Sequence, residues 1–501
     1  MKNNKTINFG NLLILLITVL TISACDNYLD KFPYEDPAAE AISDEASAIA
    51  LTNACYQPLQ RPKLYNMRIW TLDIIAGNSQ VGAGGGEDGI ETVQLANFVA
   101  DADNFATIDF WRGPNPGILY CNTVIANVPK MVISQKIKNR CLGEAKFLRA
   151  HYYFLLVQLY GDVPLSLEPV GAGDNLYPAR TDKNAIYNEV IIPDLLSAIE
   201  LLPVREEYGA NDKGRASKGA ACGMLAKVYL TLGKYAECVA MCEQVKSFGY
   251  TLNPDYSDCF GGESKNKNTV ESLFEVQYYG KTKADFFDDE NQAAWHSTFM
   301  GPRNQNFVGG GYGWNQPTQE FIDQYESGDL RKDKTVLYEG CPNFDGKKYL
   351  STMSLTGCNV RKFLVPLSVS PDYNTNSANF VVLRYADVLL MKAEALNELG
   401  QTADAVEPLY EVRKRAGLTN KTALQSLNQE AMREKIRRER RMELAFEGHR
   451  WFDLIRWDNG DYALNFLHSI GKTNATRKHL LFPIPQKDID TNPNLKQNEG
   501  Y

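Results

Sequence analysis

Between Ile436 and Trp457 the apolar and charged positions repeat with the period of an α-helix. Met432, Ile436, Met442, Leu444, Ala445, Phe446 and Phe452 make an apolar surface, and Arg and Glu fill most other positions. The spacing predicts one amphipathic helix over 436–457. Glu439, Glu443 and Glu447 recur every four residues and stack on one face, with Arg438, Arg440 and Arg450 within a turn of them. Composition alone describes a solvated, charge-laced helix. The aromatic cluster argues against that: Trp451, Phe452 and Trp457 need burial, and Asp453 with Arg450 or Arg456 supplies polar pairing there. The segment is therefore expected to pack in the core and lock the ends of the chain together.

A second apolar period runs through Ala145, Leu148, Tyr152, Leu155 and Leu159. Tyr153, Phe154, Leu156 and Val157 lie between them, so a helix over 142–160 is covered on most sides and stops at Gly161-Asp162-Val163-Pro164. His151, among these residues, reads as a core histidine. A further helix spans 184–202, with Thr181 and Asp182 as capping residues and Pro203 at its end. Two segments repeat each other: Ala226–Gly233 aligns without gaps on Ala393–Gly400, and Ala236, Val239 and Val245 fall against Ala403, Val406 and Val412. Each is a helix, a Leu-Gly corner and a second helix, similar to a tetratricopeptide repeat, whose helix pairs must stack to bury their apolar faces. The copies lie 167 residues apart (400 − 233), which predicts a helical scaffold with a large insertion. The insertion, about 251–379, is rich in Gly and Pro turns, with short strand-like runs at 272–279 and 362–365. A second irregular stretch is expected over 65–117, and the tail from Leu481 reads as extended.

The 501 residues, 44% of them hydrophobic, suffice for a large core. A net charge of −8 gives no basic stripe for nucleic acid. Lys2 and Lys5 precede an apolar run from Leu12 to Ile22, which has the layout of a secretory signal and is short for a membrane span. Ile22-Ser23-Ala24-Cys25 resembles a bacterial lipobox, in which the thiol of Cys25 is diacylated and Cys25 becomes the new N-terminus after cleavage, anchoring the chain to a membrane. The expected organisation is a signal peptide over 1–24, a lipidated tether over 25–40 and one domain over 41–501. Nine further cysteines leave at least one unpaired. Cys238 and Cys242 read as buried thiols, and Cys341 with Cys358 is a candidate disulfide.

Three stretches carry a resemblance to one family. RRERRMELAFEGHRWFDLIRW (437–457), EAKFLRAHYYF (144–154) with its following GDVPL, and the leading Cys-Asp-Asn-Tyr-Leu-Asp are similar to the SusD/RagB family. The resemblance covers nearly the whole chain. It implies a mainly α fold: a SusD-like α-α superhelix of tetratricopeptide-like helix pairs with an irregular subdomain containing short strands. It further implies a lipid anchor in the outer membrane facing the cell exterior, a SusC-like TonB-dependent transporter as partner, and a nutrient-binding face made by loops.

Enzyme motifs are sparse. Gly84, Gly86 and Gly89 fit GxGxxG, but Glu87 and Asp88 make the loop acidic and no strand and helix flank it. Gly471-Lys472-Thr473 ends like a phosphate-binding loop, yet Phe466 stands where Gly is required. Neither HExxH nor GxSxG occurs, no Cys/His pattern has zinc spacing, and Asp101, Asp103 and Asp109 lack the calcium-loop Gly and terminal Glu. No catalytic residue, metal or cofactor is assigned. Glycan capture needs flat rings to stack on sugar faces, with amide and charged groups beside them. Two sets fit: Trp295, Tyr312 and Trp314 with Arg303, and Trp70 with Asn78 and Gln80, which together form the candidate ligand-binding residues. For each aromatic, local core packing is the competing reading. The expected function is capture of a polymeric nutrient, a glycan or oligosaccharide, for the transporter. A lipid-anchored glycan hydrolase using two carboxylates and a scaffold binding only protein are the alternatives.

Overall fold

The computed structural model describes residues 44–82, 88–171, 175–280, 288–289 and 291–501. The signal segment, Cys25 and the tether lie outside the described residues. The fold is mostly helical, with four two-stranded antiparallel sheets among the described residues. No helix there is long and apolar enough to cross a membrane.

The central helix, Gln135–Tyr160, begins earlier than its apolar period predicts, because its first two turns are polar and half-exposed. Gly161 ends it with φ 72°, a left-handed conformation that costs an L side chain. Tyr152 is fully buried on this helix and donates its hydroxyl to the Cys55 carbonyl of helix Glu45–Tyr56. Helix Asn115–Asn127 crosses at Gly117, where an added Cβ would stand 2.2 Å from the Tyr152 ring. Since the hydrogen bond pins that ring, Gly117→Ala is expected to cost about 1–3 kcal/mol through overpacking, read as a lower urea midpoint with an unchanged slope.

Both predicted hairpins are present: Lys218–Thr231 with Tyr235–Ser247, and Tyr385–Glu398 with Thr402–Arg415. Their corners, Gly233 and Gly400, take the same positive φ, 68° and 77°. Helix Tyr235–Ser247 packs against Tyr385–Glu398, so units far apart in sequence are neighbours in one stack. The insertion is closed near its two ends by strand pairing, Ser272–Val276 against Phe380–Arg384. One continuous hydrophobic core runs through scaffold and insertion.

Five expectations need correction. The tail from Leu481 is extended only as far as Pro485, after which Gln486–Thr491 is helical. The helix expected over 436–457 is two, Gln429–Glu443 and Arg450–Arg456, separated by a turn in which Phe446 and Gly448 adopt φ 64° and 78°. Asp73 stabilises the break by accepting the backbone N–H groups of Phe446 and Gly448. The stretch 65–117 is largely short helices, Arg68–Ile75, Ile90–Ala96 and Phe105–Arg112, each too brief to show a clear period. Residues 362–365 form a turn, because Lys362 is drawn inward to the Ala445 carbonyl and the Glu447 carboxylate. Cys341 and Cys358 are both free and buried, as are Cys238 and Cys242.

The charged face carrying Glu439, Glu443 and Glu447 is buried, whereas Glu430 and Glu434 at the start of the helix are exposed. Arg384 is fully enclosed and donates to Glu447 at 2.7 Å, to Glu271 at 2.8 Å and to the Glu443 carbonyl at 2.7 Å. Arg331 bridges Asp329, Glu439 and Glu443, and Arg415 joins Glu271 to Glu443. Three guanidinium groups thus converge on one carboxylate, and they come from the insertion, from its closing strand and from the second hairpin. Burial by itself would raise the Glu443 carboxyl; Arg415, Arg384 and Arg331 overcome it and hold it far below the usual carboxylate range.

Candidate functional site

The two candidate ligand stretches, distant in sequence, meet in space. Helix Arg68–Ile75 is buried throughout and is followed by Gly77, whose φ of 81° and closeness to Ile470 disfavour a side chain. Strand Ser79–Val81 follows and pairs antiparallel with Asn315–Pro317, placing Gln80 opposite Gln316. Ahead of that second strand, residues 301–313 fold into a glycine-rich loop. Its base is fixed by Tyr312 N–H to the Thr298 carbonyl and Gly313 N–H to the Gly301 carbonyl, 2.9 and 2.8 Å.

Within this frame the predicted residues separate into support and surface. Trp70 and Trp295 are fully buried, Trp314 is 4% exposed and Asn78 is fully buried. Trp70 stacks edgewise on His296 and packs on Phe299, as do Trp295 and Trp314 on Phe299. The Trp295 backbone N–H donates to the Asn66 side-chain oxygen at 2.8 Å. The three tryptophans, expected as stacking platforms, lie buried with their rings packed on Phe299. Asn78 is likewise a strut. Its side chain accepts from Arg441 at 2.9 Å, Arg441 grips Glu320, and the Asn78 carbonyl receives Thr318 N–H.

Three predicted residues reach solvent. Tyr312 is 38% exposed, with its ring lying on Phe299 at 5.4 Å between centroids. Gln80 is exposed at the centre of its short strand. Arg303 is half-exposed and paired with Asp88 at 2.7 Å, which ties the loop to the stretch before helix Ile90–Ala96. Asn304, Gln305 and Asn306 stand exposed beside it, and Asn304 and Asn306 adopt positive φ, which Asn tolerates better than most residues. A ring backed by a second ring, flanked by amides and one guanidinium, can stack on an apolar ligand face and hydrogen-bond its periphery.

Asp73 was not singled out in the sequence, although it joins this face to the C-terminal turn. It is fully buried, and burial pushes its carboxyl up to about 7 against the backbone N–H of Gly448 and the Asn78 amide. Other carboxylates in buried positions are structural too. Glu275 is raised by burial but accepts from Ser272, Asn379 and the Asn268 N–H. Lys472, from the phosphate-loop-like tripeptide, spends its ammonium on the Ile74 and Ala96 carbonyls. Of the glycines that fit GxGxxG, Gly84 and Gly86 lie outside the described residues; Gly89 packs on the Trp314 indole. No cluster of three or more metal-ligating side chains occurs among the described residues.

A stack of tetratricopeptide-like hairpins closed by an insertion that carries such a face is the SusD-like fold. The chain belongs to the SusD/RagB family: the model described as "SusD family" matches residues 270–501, and that described as "Starch-binding associating with outer membrane" matches 27–230. A SusD-like protein of Bacteroides ovatus is 28% identical, covering 92% of this chain and 85% of that one. The starch-binding protein SusD of Bacteroides thetaiotaomicron is 24% identical over 72% of each chain. Among solved structures, a laminarin-binding SusD-like protein superposes with a TM-score of 0.78 at 27% identity, covering 92% of this chain and all of that one.

Proposed function

We propose that this chain is a surface lipoprotein of the outer membrane that binds a glycan or its oligosaccharides and delivers them to a SusC-like TonB-dependent transporter. Cys25 is its lipid anchor, residues 1–24 its signal peptide, 25–40 its tether and 41–501 a single working domain. Gln80, Arg303 and Tyr312 contact the ligand, and Trp70, Asn78, Trp295 and Trp314 hold them in place. The observation that carries this reading is the exposed Tyr312 ring, seated on Phe299 at the end of a loop whose Arg303 and 304–306 amides also reach solvent. Membership in a family whose relatives include starch- and laminarin-binding proteins supports it. The protein binds without turnover.

The test is electrophoresis of the purified chain in native gels containing a panel of polysaccharides, with reducing ends assayed in parallel. Retardation by at least one polymer and no rise in reducing ends is expected. New reducing ends would replace capture with hydrolysis, and free migration in every gel would remove glycan as the ligand class.

A further inference from the structure

A second recess lies away from the residues assigned to the ligand face. Cavities of about 530 and 390 Å³ share Lys213, Gly214, Arg215 and Glu275 and so form one groove along strand Ser272–Val276. Helix Glu45–Tyr56 and the turn after it make the opposite wall, and Tyr56 and Phe274, 6.5 Å between ring centroids, line the recess. Six residues lining the larger cavity are amides: Asn53, Gln57, Gln60, Asn211, Gln277 and Gln292.

Three candidate occupants can be compared. An added peptide strand would need free backbone groups on Ser272–Val276 and the residues after it. There the Gln277 carbonyl already accepts from Gln60 at 2.6 Å, and the Glu275 carbonyl from the Gln277 amide at 3.1 Å. An anionic ligand would need free guanidinium groups, but Arg215 is held by Glu144 and Asp212, and Arg205 by Glu206 and the Tyr250 ring. A hydroxyl-rich neutral ligand meets the groove on its own terms. An amide offers donor and acceptor together, as a hydroxyl does. Asn211, Lys213 and Gln292 are exposed on the rim, and their side chains have no partner among the described residues.

We propose that this groove is a second saccharide site, which takes a neutral oligosaccharide through rim amides and Lys213 independently of the Tyr312 face. The proposal rests on the glycan reading of the chain. It is tested by calorimetric titration of the full chain with laminarihexaose and with maltohexaose. Wild type, Tyr312→Ala and the triple variant Asn211→Ala, Lys213→Ala, Gln292→Ala are compared, and all four substituted side chains are exposed enough to leave the core untouched. Wild type is expected to bind a hexaose at two sites per chain. The triple variant should lose one of them, with at least a tenfold drop in its association constant, and Tyr312→Ala should lose the other. A triple-variant isotherm that superimposes on wild type overturns the groove while leaving the Tyr312 face intact. Absence of heat from wild type with both sugars overturns the groove as a glucan site, and the saccharide reading itself falls only with free migration in every polysaccharide gel.

Discussion

Glu443→Gln should destabilise the fold by about 3–5 kcal/mol, the cost of removing one partner from a buried ion system. The substitution keeps the shape of the side chain and removes its charge, so packing is not the cause. What remains is Arg331, Arg384 and Arg415 converging on a neutral amide in a site that water does not reach. Arg384→Met should cost a similar amount from the other side, by leaving Glu271 and Glu447 short of a donor. Urea titration followed by circular dichroism reads both. A loss below 1 kcal/mol in Glu443→Gln would mean that the network does not bind the insertion to the scaffold.

The same network sets the acid limit of stability. Glu443 and Glu447 have carboxyls held below the usual range by Arg384, Arg415, Arg331 and Lys362, which overcome burial. A depressed folded value contributes stability that is complete above the unfolded carboxylate range and is lost as pH falls below about 4. Asp73 has the opposite sign. Its folded value near 7 lies above the unfolded one, so its contribution is complete below about pH 4 and is lost as pH rises through 7. Glu443→Gln should therefore flatten the acid limb of the stability curve and leave the decline toward neutral pH in place.

How much of this was legible in the sequence depends on how local the cause was. The helical hairpins were readable because a Leu-Gly corner between two apolar periods is a local signal, and Gly233 and Gly400 keep it. The break at 444–449 was not, because the apolar period continues through it; the cause is Asp73, some 370 residues earlier. The burial of the 439–447 charges was half-legible. The four-residue spacing of the glutamates was visible, but the arginines that neutralise Glu443, at 331, 384 and 415, sit outside the motif. At the ligand face the two stretches were found by their aromatic and amide content, and their meeting is a strand pairing that no local pattern announces. Which rings face solvent was beyond the sequence. Trp295 and Tyr312 have the same claim on paper, and only the path of the 301–313 loop separates them.

That separation gives the second large effect. Trp295→Ala is expected to cost about 3–5 kcal/mol of stability, because a fully buried indole leaves a cavity beside Phe299 that the surrounding rings cannot fill. Its effect on glycan retardation would follow from damage to the support and would be accompanied by a lower unfolding midpoint. Tyr312→Ala should do the reverse. It removes a ring that is already 38% exposed, so stability should change by less than about 1 kcal/mol, while affinity for the captured glycan should fall at least tenfold, about 1.4 kcal/mol. Tyr312→Phe, which keeps the stacking surface and loses the hydroxyl, should retain most of the binding if the ring face is what the sugar meets. Equal loss in Phe and Ala variants would make the hydroxyl the contact, and full binding by Tyr312→Ala would move the site away from this face. Affinity electrophoresis and a urea titration on the same three variants distinguish these outcomes, because ligand contact and structural support predict opposite pairings of affinity and stability.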